Sequence, residues 1–342
     1  MAATAPLRKT TNVALQGGGS HGAYSWGVLD ALLEDERLDI AAISGASAGA
    51  MNAVVFAEGF VTGGRDGARQ KLHDFWLSVS EEGVLSPAQR KWFDLYFGGF
   101  SFSASPAYQW LDALTNYASP YDFNPLNLNP LRDHLMKMVD FELLRRSDHL
   151  KLFIAATNVH TGKGAIFRRN ILTADHVMAS ACLPRLFQAV EIDGAPYWDG
   201  GFAGNPPLWP LFYETACQDA IIVQINPIER HATPRTSREI ADRVNEITFN
   251  SALLAELRAV NFVTRLLDKG ALDPAHYKRV HVHRIGGDGK LDAFGAATKV
   301  DTSWPFLKTL RDLGRESAKQ WLARNFDAIG ERSTLNVRAA LA

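Results

Sequence analysis

Cysteine is scarce: Cys182 and Cys217 are the two in a chain of 342 residues. Two thiols cannot form a disulfide framework, and a chain with 46% apolar residues needs none to build a core. Net charge is just as scarce. The 36 Lys and Arg nearly balance the 37 Asp and Glu, leaving a formal charge of -1. That excludes a general electrostatic hold on nucleic acid. No run of apolar residues reaches membrane-spanning length, so no transmembrane helix is expected. The stretch before Gly17 carries the basic pair Arg8-Lys9 but no apolar segment of secretory-signal type, which makes a cytoplasmic location the expectation. Metal-ligand spacing is missing too. His281 and His283 share one strand face, yet no carboxylate or cysteine lies beside them in sequence, so they read as core or surface histidines and no metal or cofactor is expected. With no repeat, low-complexity tract or long linker, the chain reads as one catalytic domain over residues 10–330.

Glycine is the feature distributed unevenly. Of 27 glycines, seven fall between Gly17 and Gly49. Around them, residues 12–16 read as a short buried strand and residues 22–34 as a helix whose apolar stripe is Val28, Leu29, Leu32 and Leu33. Residues 39–44 form a second buried strand and residues 48–59 a second helix. Strand, glycine turn and helix, repeated once, predict an α/β fold with a mostly parallel sheet covered by helices on both faces. Further strands are expected at 151–157, in a hairpin over 160–169, as a pair around Asp193-Gly194, at 220–225 and at 280–285. Helices are expected near 173–180, over 237–269 and over 304–326. In the first of the two long helices Ile240, Val244, Ile247, Leu254, Leu257 and Val260 recur at helical spacing.

Between these blocks, residues 64–150 show no clear strand and read as a helical insertion. Eleven of the chain's 35 aromatic residues crowd between Trp92 and Phe123. Such a concentration serves either as a satellite core or as an apolar channel or membrane-facing lip.

Gly17-Gly18-Gly19-Ser20-His21-Gly22 has the spacing G-x-G-x-x-G between a strand and a helix. A dinucleotide site would need an acidic residue closing the second strand, whereas Asp39 stands at that strand's start. A phosphate loop would need Gly-Lys-Ser/Thr, which is missing. The same turn suits another purpose: bare backbone N–H groups at a helix N-terminus form a nest for a developing oxyanion. One strand later, Gly45-Ala46-Ser47-Ala48-Gly49 is G-x-S-x-G at a strand-to-helix junction. Small residues flank the serine because the strained elbow must pack against backbone while lifting the hydroxyl clear. Ser47 is therefore the candidate nucleophile, and Gly17, Gly18, Gly19 and Ala48 are the candidate oxyanion donors. None of the ten histidines sits in a context marking it as a base. Asp199 does, at a strand end before Gly200-Gly201, where a loop or ligand can approach closely. A carboxylate with an ordinary pKa is a weak base at neutral pH, so burial would have to raise it.

Taken together, these motifs resemble the bacterial patatin-like phospholipases. The likeness runs from Gly17-Gly18-Gly19 through Gly45–Gly49 and the segment Ser180-Ala181-Cys182-Leu183-Pro184-Arg185-Leu186-Phe187 to Asp199-Gly200-Gly201 and Asn205-Pro206, covering roughly residues 12–226. It implies a three-layer α/β/α fold and a Ser–Asp dyad without histidine. It also implies hydrolysis of lipid carboxylic esters, of phospholipase A, lysophospholipase or esterase type, with no cofactor. The expected partner is a lipid or other small ester, with transient contact at a membrane surface. His21, Trp92, Phe97, Phe100, Trp110, Pro184, Phe187 and Asn205 are the residues expected around the substrate. One departure stands out: the family commonly carries Arg or Lys where this chain has His21, which implies less anionic substrates or an added pH dependence. The alternatives are an intracellular depolymerase of polyhydroxyalkanoate-type polyester using the same dyad, and a non-catalytic lipid-binding protein.

Overall fold

The computed structural model describes residues 8–80, 118–184, 186–287, 289–291, 294 and 301–341. Its centre is an eight-stranded sheet. In chain order the strands are β1 Lys9–Leu15, β2 Leu38–Gly45, β3 Lys151–Asn158, β4 Gly164–Arg168, β5 Val190–Ile192, β6 Ala195–Asp199, β7 Asp219–Gln224 and β8 His281–Gly286. The order across the sheet is β5-β6-β3-β2-β1-β7-β8, with β4 paired to β3. The run β3-β2-β1-β7-β8 is parallel, while β4, β5 and β6 pair antiparallel. The sheet is thus mixed but mostly parallel.

Helices flank it on both faces, as the period of two along each strand requires. Val13 and Leu15, Ile43, Ile154, and Ile221 and Val223 join one buried cluster. That cluster also holds residues of α1 (Gly22–Glu34), α2 (Ala48–Val79) and the helix Trp304–Asn325. The alternate residues Ala14, Ala42, Phe153, Ala220 and Ile222 face the other way, against Leu208, Leu211, Leu253 and Leu257. The aromatic content of the first cluster centres on Trp26, whose ring stacks on Trp304 at 5.9 Å and Trp76 at 6.5 Å.

Two sequence expectations change. Residues 65–79, assigned to an insertion, form the second half of α2 beyond a break at Gly63-Gly64, and Ala68, Leu72, Phe75 and Trp76 are part of the main core. Leu131, Leu135, Val139 and Leu144, from the far end of the same stretch, join it as well. The aromatic segment between them, with Trp92, Phe97, Phe100 and Trp110, lies outside the described residues. The long helix Ser237–Asp268 also differs from its predicted stripe. Leu257 and its neighbour Leu253 point inward, but Ile240, Val244 and Ile247 are 48%, 55% and 54% exposed. Helical spacing identifies a face; it does not say whether anything covers it.

The register of β3 places the site. Phe153 and Ile154 pair with β2 on one edge and with β4 on the other. Two residues on, Ala156 and Thr157 pair with β4 and with β6. The strand β6 therefore occupies the edge that β2 has just left. It runs antiparallel, so its end at Asp199, opposite Ala156, meets the end of β2 at Gly45, opposite Ile154. Ser47 and Asp199, more than 150 residues apart in sequence, are brought nose to nose by one shared strand edge.

Candidate active site

At the end of β2 the chain turns into α2 through Ser47, held at φ 55° and ψ -126°. A non-glycine residue in this region is strained by about 1–3 kcal/mol and persists only where neighbours fix it. Here they do. A Cβ on Gly45 would lie 2.6 Å from the backbone of Gly49, and one on Gly49 would lie 2.3 Å from the Leu15 carbonyl oxygen. Both ends of G-x-S-x-G are thus packed to backbone distance. The Ser47 N–H donates to the carbonyl (3.1 Å) and the hydroxyl (3.0 Å) of Ser180. Its side chain stays half-buried.

Asp199 is buried at the tip of β6. Its N–H donates to the Cys182 carbonyl at 2.8 Å, and its own carbonyl accepts from the Thr157 hydroxyl at 2.8 Å. The segment Ser180–Cys182 therefore anchors the backbones of both Ser47 and Asp199. Oδ1 accepts from the Gly201 N–H at 2.7 Å. Burial pushes the carboxyl up to about 7, with the Gly201 N–H and the nearby Ser47 hydroxyl pulling it down. Oδ2 has no well-formed hydrogen bond, so the hydroxyl is close enough to stabilise the anion without being aligned on it. A base with a pKa near the working pH combines availability with driving force.

The glycine turn lies against the elbow. A Cβ on Gly17 would fall 2.5 Å from the Ser47 Cβ, so any side chain there would displace the serine. Both polar groups of Gly17 are occupied: its N–H donates to Asn205 Oδ1 at 2.6 Å, and its carbonyl accepts from Asn226 Nδ2 at 2.7 Å. Gln16 ties the two asparagines together. Its Oε1 accepts from the Ile225 and Asn226 N–H groups at 2.9 Å, and its Nε2 donates to the Asn205 carbonyl and Asn250 Oδ1 at 3.1 Å. Because a trans peptide holds C=O and N–H antiparallel, anchoring the Gly17 carbonyl on Asn226 turns the Gly18 N–H the opposite way. Gly19, at φ 60°, opens the short 3-10 turn that leads into α1, and Ala48 opens α2, so neither N–H has an intrahelical acceptor.

Several of the predicted contact residues are engaged within the fold. Gly17 has no free N–H, since Asn205 takes it. Asn205 is fully buried and shapes the turn. His21 is buried at the start of α1, its ring 6.3 Å from that of Phe306. Phe187 is buried in the main core and Pro184 is half-buried. Sequence reasoning did not single out Gln16, Thr157 or Asn226. Their partners lie up to about 210 residues away, and an isolated polar residue beside a strand carries no periodic signal.

A strained serine at the end of a parallel strand, facing a buried carboxylate, sets the chain among hydrolases of α/β architecture. It belongs to the patatin-like phospholipase family, whose model matches residues 13–212. Membership makes it a patatin-family hydrolase of lipid or other ester substrates. No curated protein matches the chain. Among solved structures it is similar to VipD from Legionella pneumophila at 18% identity, over 94% of this chain and 68% of that one, with a TM-score of 0.40.

Proposed function

We propose that the protein is a serine acyl hydrolase that cleaves carboxylic esters of lipids through Ser47, Asp199 and an acyl-enzyme. The observation that carries this reading is the meeting of the strained Ser47 with a buried Asp199 whose pKa is raised to about 7. In the first step the Ser47 oxygen bonds to the ester carbonyl carbon while Asp199 takes the hydroxyl proton. The carbonyl oxygen becomes an oxyanion, met by the N–H groups of Gly18, Gly19 and Ala48. The bond to the alcohol then breaks, and Asp199 returns the proton to the leaving oxygen. In the second step water gives its proton to Asp199 and its hydroxyl to the acyl carbon. The fatty acid leaves, and the proton returns to Ser47. The chemistry asks nothing of a histidine.

The test is covalent labelling and turnover together. A fluorophosphonate is expected to modify the protein at Ser47, and Ser47→Ala is expected to lose both labelling and hydrolysis of short p-nitrophenyl acyl esters. Near-full activity in Ser47→Ala would assign the nucleophile elsewhere. Because Asp199 must be ionised to act, kcat/KM is expected to rise about tenfold per pH unit below about 7 and level off above it.

A further inference from the structure

The helix Ser237–Asp268, here α8, presents an outward face that no described residue covers. Ile240, Val244 and Ile247 are about half exposed, and Phe262 is 62% exposed. These residues recur three, four or a multiple of such steps apart, so they line one side of the helix, with Arg258 and Arg265, both exposed, on the same side. The helix has five carboxylates, Glu239, Asp242, Glu246, Glu256 and Asp268, and by the same spacing all fall on its other sides. Most of them have partners of their own. Glu239 caps the helix, Glu246 pairs with Arg230 and Arg243, Glu256 accepts from the Leu208 and Trp209 N–H groups, and Asp268 pairs with Arg279. The outward face of the helix is therefore apolar and cationic, with none of the helix's own carboxylates on it.

Its position links it to the proposed site. Phe249, on the inward side of α8, packs at 5.3 Å on Phe202 and would lie 3.1 Å from a Cβ on Gly201, whose N–H holds Asp199. The outward face is thus one helix thickness from the Asp199 turn.

We infer that this face of α8 docks the protein on an anionic lipid surface, with the apolar residues entering the headgroup boundary and the arginines meeting lipid phosphates. This inference rests on the proposed lipid-ester activity and names the surface from which the substrate is drawn. Charge complementarity selects the occupant: apolar residues joined to cations without carboxylates suit an anionic lipid interface. A second copy fits less well, since antiparallel twofold pairing would lay Arg258 and Arg265 on the apolar half of the other helix. None of the described helices is long and apolar enough to cross a membrane, so α8 lies on the surface and does not span it.

The experiment uses vesicles of ether-linked phosphatidylcholine, alone or with about a third ether-linked phosphatidylglycerol, which an esterase cannot consume. Wild type is expected to cosediment with the anionic vesicles and to be released by salt. Ile240→Gln with Val244→Gln and Ile247→Gln is expected to weaken partitioning by roughly tenfold or more, and Arg258→Gln with Arg265→Gln by about fivefold per arginine. Both variants are expected to keep wild-type hydrolysis of a soluble p-nitrophenyl ester, which also reports that they fold. Unchanged vesicle binding by both variants overturns the inference. So does a wild-type dimer in light scattering that the glutamine variant converts to monomer. Loss of soluble-ester hydrolysis by wild type itself would instead remove the proposed activity, while the vesicle result would still be read independently.

Discussion

Two buried aspartates stand at opposite ends of the sheet, and their surroundings drive them in opposite directions. Asp199 lies at the carboxyl end, with one N–H on Oδ1, no well-formed bond on Oδ2 and a pKa pushed up to about 7 by burial. Asp219 lies at the amino end, as the first residue of β7. Burial acts to raise it as well, but His283, the Gly330 N–H and the positive character of His281 and His283 outweigh that and hold it below the usual carboxylate value. His283 Nε2 lies 2.9 Å from Asp219 Oδ1, its Nδ1 lies 3.0 Å from the Thr334 hydroxyl, and the Gly330 N–H donates at 2.9 Å. This end is a latch that ties the C-terminal segment to the sheet. Two groups of one residue type, both inside the same fold, divide into a poised base and a structural anchor according to how many donors surround the carboxylate.

The largest expected effect comes from neutralising the poised one. Asp199→Asn keeps an oxygen for the Gly201 N–H but cannot take a proton, so kcat/KM on a soluble ester is expected to fall by at least ~10²-fold. Stability is expected to move the other way. A carboxyl whose folded pKa is raised gives stability that is complete below the unfolded value near 4 and lost as pH climbs through about 7. A shift of about three pK units sets a ceiling of about 4 kcal/mol on that loss. At pH 8 the asparagine variant is therefore expected to melt higher than wild type, and its stability to vary less between pH 4 and 8. A variant that is active, or less stable at pH 8, would remove Asp199 from the role of base held in a destabilised state.

Asp219→Asn reverses the signs. A carboxyl held low contributes stability above the unfolded value near 4 and loses it as pH falls through the folded one. Removing the charge leaves two buried histidines facing a neutral amide. The expected loss is roughly 2–3 kcal/mol at pH 7, read by denaturant unfolding, with soluble-ester activity retained below the transition. Equal stability of variant and wild type at pH 7 would dissolve the contrast between the two ends.

The latch also shows what sequence could and could not convey. The strands around the glycine turns and the elbow itself were legible because each is local: a buried run, a small-residue turn, a helix start. His281 and His283 were correctly placed on one strand face, but no carboxylate stood near them in sequence. The β7–β8 register sets Asp219 directly opposite His281, across 62 residues of chain. In the same way, apolar spacing marked the face of Ile240, Val244 and Ile247 but not its exposure. The covered face of that helix carries Glu246, Asn250, Leu253 and Leu257, mixed in character and anchored by polar contacts from elsewhere. Asp199 was legible as a strand-end carboxylate before two glycines, whereas its partner edge on β3 was not.

The smallest effect tests whether the carboxyl end is poised throughout or only at its two reacting groups. Asn226 holds the Gly17 carbonyl, and through that peptide it fixes the direction of the Gly18 N–H. An oxyanion donor acts on charge that develops only in the transition state, so misdirecting it should lower kcat and leave substrate binding alone. Asn226→Asp keeps the shape but replaces the donor with an acceptor facing the Gly17 carbonyl, while Asn226→Ala removes both. Each is expected to lower kcat by about tenfold or more, with KM within about twofold and fluorophosphonate labelling slowed by a similar factor. Asn226→Gln, which keeps the donor on a longer arm, is expected to recover part of the loss. A purely structural role for Asn226 would instead lower melting temperature and reduce the active fraction without changing kcat per labelled site, and that outcome would confine the poised character to Ser47 and Asp199.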